Sequence, residues 1–327
     1  MRLVPSPEQA GFAATLHDML SAAGVPAVAD SWADGDYAPG RRLWSRLADL
    51  GVTALAIPAR RGGLEATPAD LVIAAEELGH HAVPGPAAET LAAVPTLLAA
   101  LGAATLDAGR LLPALAAGQA LATLAAPPWL PFAADACAAD LVLLADRDTV
   151  GPARIGAAHS SMDRTRRLYE VSPAGPMDSC PAVDRALDLG ALVCSAQLLG
   201  AGRALLEASV EHARTRVQFG RPIGSFQAVQ QRLADVAVGL EFARPLVHAA
   251  AVTLSTRDLS AAKVACSDAA GRAARAALQV HGAIGYTQEH GLGRWLTKVR
   301  VLSLSWGTPA EHRARVMAEL TKEAGWN

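Results

Sequence analysis

A chain of 327 residues has room for about two domains, and with 51% hydrophobic residues it can bury a large core. Only 4% are aromatic, so that core is expected to be Ala, Leu and Val, a composition suited to closely packed helices. A net charge of −2, from 29 basic and 31 acidic side chains, removes the electrostatic case for nucleic acid. Cys137, Cys180, Cys194 and Cys266 stand at no CxxC spacing, which argues against a zinc or dithiol motif and for reduced thiols. The start, MRLVPSPEQAGF, shows no apolar h-region, and runs such as 91–101 fall short of the ~20 residues a membrane span needs. The expectation is a soluble, cytoplasmic protein with no membrane partner.

Three textures follow one another along the chain. Residues 1–117 carry helical periodicity with capping signals: Ser6-Pro7-Glu8-Gln9, then Thr67-Pro68-Ala69-Asp70 with its carboxylate at the positive end of the dipole. The second helix should stop near Val83-Pro84-Gly85-Pro86. Residues 118–180 hold short apolar runs, 141–144 and 168–171, that read as strands of a small β domain. From 181 to 327 the helical pattern returns. Phe226, Val229, Leu233, Val236 and Leu240 line one helix face, and Pro245 should kink or end that helix. Another helix is expected over 260–280, and a last one from the cap at Thr308-Pro309-Ala310-Glu311.

Three motifs in this last segment resemble those of acyl-CoA dehydrogenases. One is Arg216-Val217-Gln218-Phe219-Gly220 with Ile223, Phe226 and Gln227, where the family carries R-x-Q-F-G-x-x-I…FQ. Another is Gln279-Val280-His281-Gly282-Ala283-Ile284-Gly285-Tyr286, similar to Q-x-x-G-G-x-G-[YF] with Ala at the second Gly. The last is Trp306-Gly307-Thr308, where many members read Y-E-G-T. The stretch LADLGVTALAIPARRGGLEATPADLVIAAEELG also resembles the family's first helical domain. The resemblance implies a mainly α fold: an N-terminal helical domain, a middle β domain, shortened here, and a C-terminal four-helix bundle. It implies FAD, an acyl-CoA substrate, and an electron-transfer flavoprotein as acceptor. Carried over residue by residue, the cofactor contacts are Arg216, Phe219, Gln227, Gln279, Gly282, Gly285 and Thr308, most of them reaching a neighbouring subunit's FAD. The chemistry agrees, since a guanidinium can fork onto a pyrophosphate and glycines let backbone approach closely.

The reaction needs a carboxylate to take the proton α to the thioester. The family places it in one of two positions. Here the residue before Gly-Thr is Trp306, and the residue twenty-nine before Phe219 is Gly190. Neither accepts a proton, so no catalytic residue is assigned. The middle segment also lacks the family's T-E-P…G-S-D pattern. Both departures resemble the short, Glu-lacking subunit of heterotetrameric (α2β2) bacterial enzymes acting on steroid side chains. That resemblance implies a longer homologous partner that supplies the base. The alternatives are a homomeric dehydrogenase with a displaced base, or a non-catalytic scaffold that binds an acyl-CoA or a partner.

Other constellations have blander readings. Glu311 sits at N3 of a capping box, and Glu289 reads as solvated or interfacial. Gln197, seven residues after Gly190, shares its helix face and lines a vestigial pocket or an interface. Arg164, Arg166 and Arg167 read as a solvated face. His80 and His81 are adjacent on a helix and do not face one ligand, so no metal is expected.

Overall fold

A computed structural model describes residues 4–102, 105–287 and 291–323. The chain is mainly α, in the expected order of helical, β and helical parts. Six helices come first: α1 (Pro7–Ala22), α2 (Val25–Asp34), α3 (Ala38–Asp49), α4 (Pro68–His80), α5 (Val94–Ala100) and α6 (Ala108–Ala116). Both capping boxes form. Ser6 and Gln9 exchange bonds at the start of α1, and Thr67 and Asp70 do so at the start of α4. A π-helical turn, Glu89–Ala93, leads into α5.

The middle part holds β1 (Ala122–Ala125), β2 (Ala133–Ala134), β3 (Leu141–Asp146), β4 (Thr149–Ser160), β5 (Arg167–Pro173) and β6 (Asp178–Ser179). They form one sheet in the order β1-β3-β4-β5-β2, with β6 on β4. Only β1 and β3 run parallel. The far half of β4, from Arg154, faces solvent, so this sheet covers little core of its own.

The last part is α7 (Val183–Thr215), a two-strand turn β7 (Val217–Gln218) and β8 (Arg221–Pro222), then α8 (Gln227–Thr253), α9 (Thr256–His281), α10 (Gly293–Leu304) and α11 (Pro309–Glu323). α8 runs through Pro245, so the helix does not stop there, one of the two outcomes the sequence suggests. A proline removes one ladder bond, and buried Ala243, Val247 and His248 on either side keep the helix seated.

α7 is the axis of the molecule. It packs against α4, α8, α9 and α10. Its crossing with α4 is so close that a Cβ on Gly200 would overlap the Glu76 carbonyl, and one on Gly79 the Gln197 carbonyl. The same crossing carries buried charge. Arg203 donates to Glu76 and Glu77 at 2.7 Å each, and Arg244 reaches Glu76 at 2.9 Å. Breaking one partner of such a set strands the other in a poorly solvated place. By length and composition α7 and α8 each qualify to cross a membrane, which no run singled out in the sequence did. For α7, 83% of that window is buried inside the fold, so it is the core helix; for α8 the share is 39%, and one face stays open.

Candidate functional site

The two positions where a base was expected meet each other. Gly190 lies in the first third of α7, and Trp306 in the turn between α10 and α11. A Cβ on Gly190 would overlap the six-membered ring of the Trp306 indole. Trp306 is 2% exposed and has a positive φ of 59°, an uncommon conformation that its surroundings must hold. They do so at two points. His312 Nε2 donates to the Trp306 carbonyl at 2.8 Å, and its Nδ1 lies 3.1 Å from the Ser260 hydroxyl. Lys263, fully buried, donates to the carbonyls of Leu302, Ser303 and Gly307 at 3.1–3.3 Å.

Beside the indole is a cavity of about 30 Å³, bordered by Glu89, Asp135, Arg166, Gln197, Lys298 and Trp306. That is room for about one water molecule, far short of an acyl thioester. Gln197 therefore lines this cavity, one of the two roles open to it. The carboxylates around it were missed in the sequence. Glu89 is buried and its pKa is raised by desolvation; Asp135, buried as well, is raised to about 7 for the same reason. Their one sequence signal is an acidic residue inside an apolar run, AAETLAA for Glu89. Arg166 donates to Ser305 Oγ at 2.5 Å, and Arg167 to the Ala33 carbonyl at 3.1 Å. Only Arg164 has the solvated position expected of all three, where it pairs with Asp34. The other two are partly buried and bonded to these distant partners.

The remaining candidate residues sit elsewhere. Arg216 caps the far end of α7, with its side chain exposed. Phe219 is 92% exposed at the tip of the β7–β8 turn, and Gln227 opens α8. Gln279 and Gly282 close α9 beside them. His281, next to Gly282, stacks on His212, one turn before Arg216, at 4.3 Å between ring centroids. Gly282 adopts φ 62° and ψ −140°, a region open essentially to glycine, and a Cβ there would meet nothing. Gly285 is buried instead, where a Cβ would lie 3.1 Å from His281 Cβ, so its small size serves the turn's own packing. Thr308 is at the other end of the bundle, where its backbone N–H and hydroxyl form a capping box with Glu311 at 2.6 and 3.3 Å. Glu311 is thus engaged as a cap; Glu289 lies outside the described residues.

The donor set at the far end suits the phosphate half of a flavin dinucleotide: a guanidinium with no ion pair among the described residues, two exposed amides and an open backbone turn. The region around Trp306 does not suit the ring half, because the indole fills it. From Gly190 to Arg216, α7 rises roughly 39 Å at about 1.5 Å per residue. One extended dinucleotide does not bridge that gap.

Comparison with known proteins follows the same division. A family model described as the acyl-CoA dehydrogenase N-terminal domain matches residues 6–119, and one described as the C-terminal domain matches residues 180–321. The protein called acyl-CoA dehydrogenase IpdE2 of Mycobacterium tuberculosis is 32% identical over 321 residues, covering 97% of this chain and 99% of the relative. Among solved structures, the ChsE4–ChsE5 complex from Mycobacterium tuberculosis superposes with a TM-score of 0.84 at 20% identity, covering 98% of this chain and 99% of that one. A variant of the Tcur3481–Tcur3483 steroid ACAD gives 0.82 at 22% identity, with 97% and 99% covered. At those identities the likeness bears on the fold.

Proposed function

The chain belongs to the acyl-CoA dehydrogenase family, whose members are FAD-dependent flavoproteins, and from that premise we propose that it is the base-free subunit of a heteromeric enzyme that desaturates an acyl-CoA thioester. One observation carries the reading: Gly190 and Trp306, the positions where the family resemblance leads us to expect the base, meet each other, and the indole fills the space a side chain on Gly190 would need. A carboxylate cannot be accommodated at Gly190 while the indole is there.

In this account the chain's work is positional. Arg216 forks onto the pyrophosphate of a flavin held mainly by a longer homologous partner. The amides of Gln227 and Gln279 bind its polar edges, and Gly282 lets the α9 terminus come close. Flavin bound there would supply the two-electron acceptor for the hydride leaving the β carbon, with an electron-transfer flavoprotein as the expected re-oxidant. The partner's carboxylate takes the α proton, and Trp306 closes this chain's own cleft to substrate. An assembly of two copies of each subunit pairs every far end with a complete site. The open face of α8 supports a partner: Val238, Phe242 and Leu246, four residues apart, are 53%, 74% and 43% exposed. A bulky, steroid-type acyl group is the substrate class suggested by the steroid ACAD with the same fold, and a cytoplasmic location belongs to the same proposal.

The test is turnover by the reconstituted complex. Replacing the partner's helix Glu by Gln should abolish acyl-CoA oxidation, with flavin retained. Full activity in that variant would put the base in this chain. Glu89 and Asp135 would then be its candidates, and a homomeric enzyme the better reading.

A further inference from the structure

Far from the cleft, α1, α4 and α7 bring three imidazoles and two carboxylates together. His17 comes from α1; Glu77 and His80 end α4, and His81 caps it. Each of these four offers one donor atom, all within 4.8 Å of one another. His17 Nδ1 lies 2.9 Å from Glu77 Oε2 and 3.3 Å from His81 Nε2, and His81 Nε2 lies 3.9 Å from Glu77 Oε2. Donors around a tetrahedral zinc with bonds of about 2.0–2.1 Å stand roughly 3.3 Å apart. The three edges bracket that value with no ion present.

The adjacency of His80 and His81 argues against a shared ligand only while both are helical. His81 has left the helix, at φ −88° and ψ 1°, and its ring centroid comes within 4.8 Å of that of His80. His17, from a helix sixty residues away in sequence, completes the cluster. We propose that His17, Glu77, His80 and His81 form a binding site for one divalent transition-metal ion of the zinc class. Three imidazoles and one carboxylate select such an ion over calcium or magnesium, which take oxygen donors.

The surroundings are those of a ligand set whose outer contacts are already made. Glu207 stands 2.8 Å from His80 Nε2, which leaves for the metal the Nδ1 of His80, buried and without a hydrogen-bond partner. Arg203 donates to Glu77 Oε1 at 2.7 Å, which holds the carboxylate with Oε2 toward the histidines. The His17 side chain is 41% exposed, so an ion has access from solvent. Occupation would brace α1 onto α4. Arg203 also brings a positive charge, which weakens binding but does not take up any of the donor atoms. The competing description is a hydrogen-bonded imidazole–carboxylate network that never takes an ion.

The two separate in a titration of the full-length, untagged, metal-stripped chain with Zn²⁺ against a chromophoric chelator, repeated with Co²⁺ to read its visible bands. Cys137→Ser serves as background, since Cys137 is the one exposed thiol. The expected result is one Zn²⁺ per chain, Co²⁺ bands of tetrahedral intensity and a rise in Tm with added zinc. His17→Ala and His81→Ala should each weaken binding by about a hundredfold or more. His17 is half-exposed, so its variant folds whatever His81→Ala does. Absence of Zn²⁺ binding in the parent, or binding that survives both substitutions unchanged, overturns the site.

Discussion

The Trp306 indole occupies the place where any side chain on Gly190 would begin. Each is a position at which the family resemblance leads one to expect a carboxylate. Together they form a matched pair, and the pairing sets the energetics of the cleft.

Gly190→Ala forces the indole to move and should cost about 1–3 kcal/mol. Trp306→Ala leaves a large void and should cost about 3–5 kcal/mol. In Gly190→Ala/Trp306→Ala the new methyl enters space the indole has left, so the double variant should be more stable than the sum of the two costs by more than about 0.5 kcal/mol. Urea unfolding of the four proteins checks this. Additive costs would mean the contact is not made.

Arg216→Ala should lower the FAD content of the purified complex, with an affinity loss of about 1.5–3 kcal/mol, while leaving the chain's own Tm nearly unchanged because the side chain is exposed. Arg216→Lys keeps the charge, loses the fork and should fall between the two. Unchanged flavin occupancy in Arg216→Ala would count against the shared cofactor site.

Glu89→Gln, Asp135→Asn and Glu311→Gln should leave turnover of the complex within a few-fold of the parent. Glu311→Gln removes the charge of an N-terminal cap and should cost about 0.3–1 kcal/mol of stability. A loss of several orders of magnitude in turnover for either buried carboxyl would make it the base and sink the partner-supplied mechanism.

Asp135 gives the fold a pH signature. Its folded-state pKa, raised by burial to about 7, lies above the unfolded value of about 3.9. The buried group therefore stabilises most below about pH 4, and that contribution is lost as pH rises through about 7, with a slope of at most about 1.4 kcal/mol per unit. Asp135→Asn keeps an acceptor for the Arg167 N–H, now bonded at 2.9 Å, and should flatten this part of the stability curve. Parallel curves for parent and variant from pH 4 to 8 would refute the assignment.

Much of the scaffold could be read from local chemistry. Ser6, Thr67 and Thr308 cap helices that begin where the sequence places them, because a cap is decided within four residues. What escaped depends on distant packing. Pro245 stays inside α8 because buried neighbours hold it. Arg166 and Arg167 turn inward toward Ser305 and Ala33, partners more than a hundred residues away. The cavity carboxylates Glu89 and Asp135 meet only once the π-helical turn and the sheet are in place. His81 joins His17 and His80 because α4 ends one residue earlier, a boundary no periodicity fixes to that precision.

The most direct measurement is the visible absorption of this chain purified alone, and again after co-expression with a longer homologue that carries the helix Glu. The account predicts a colourless lone chain and a flavin-yellow complex that oxidises an acyl-CoA. A lone chain that is yellow and turns over substrate would contradict it.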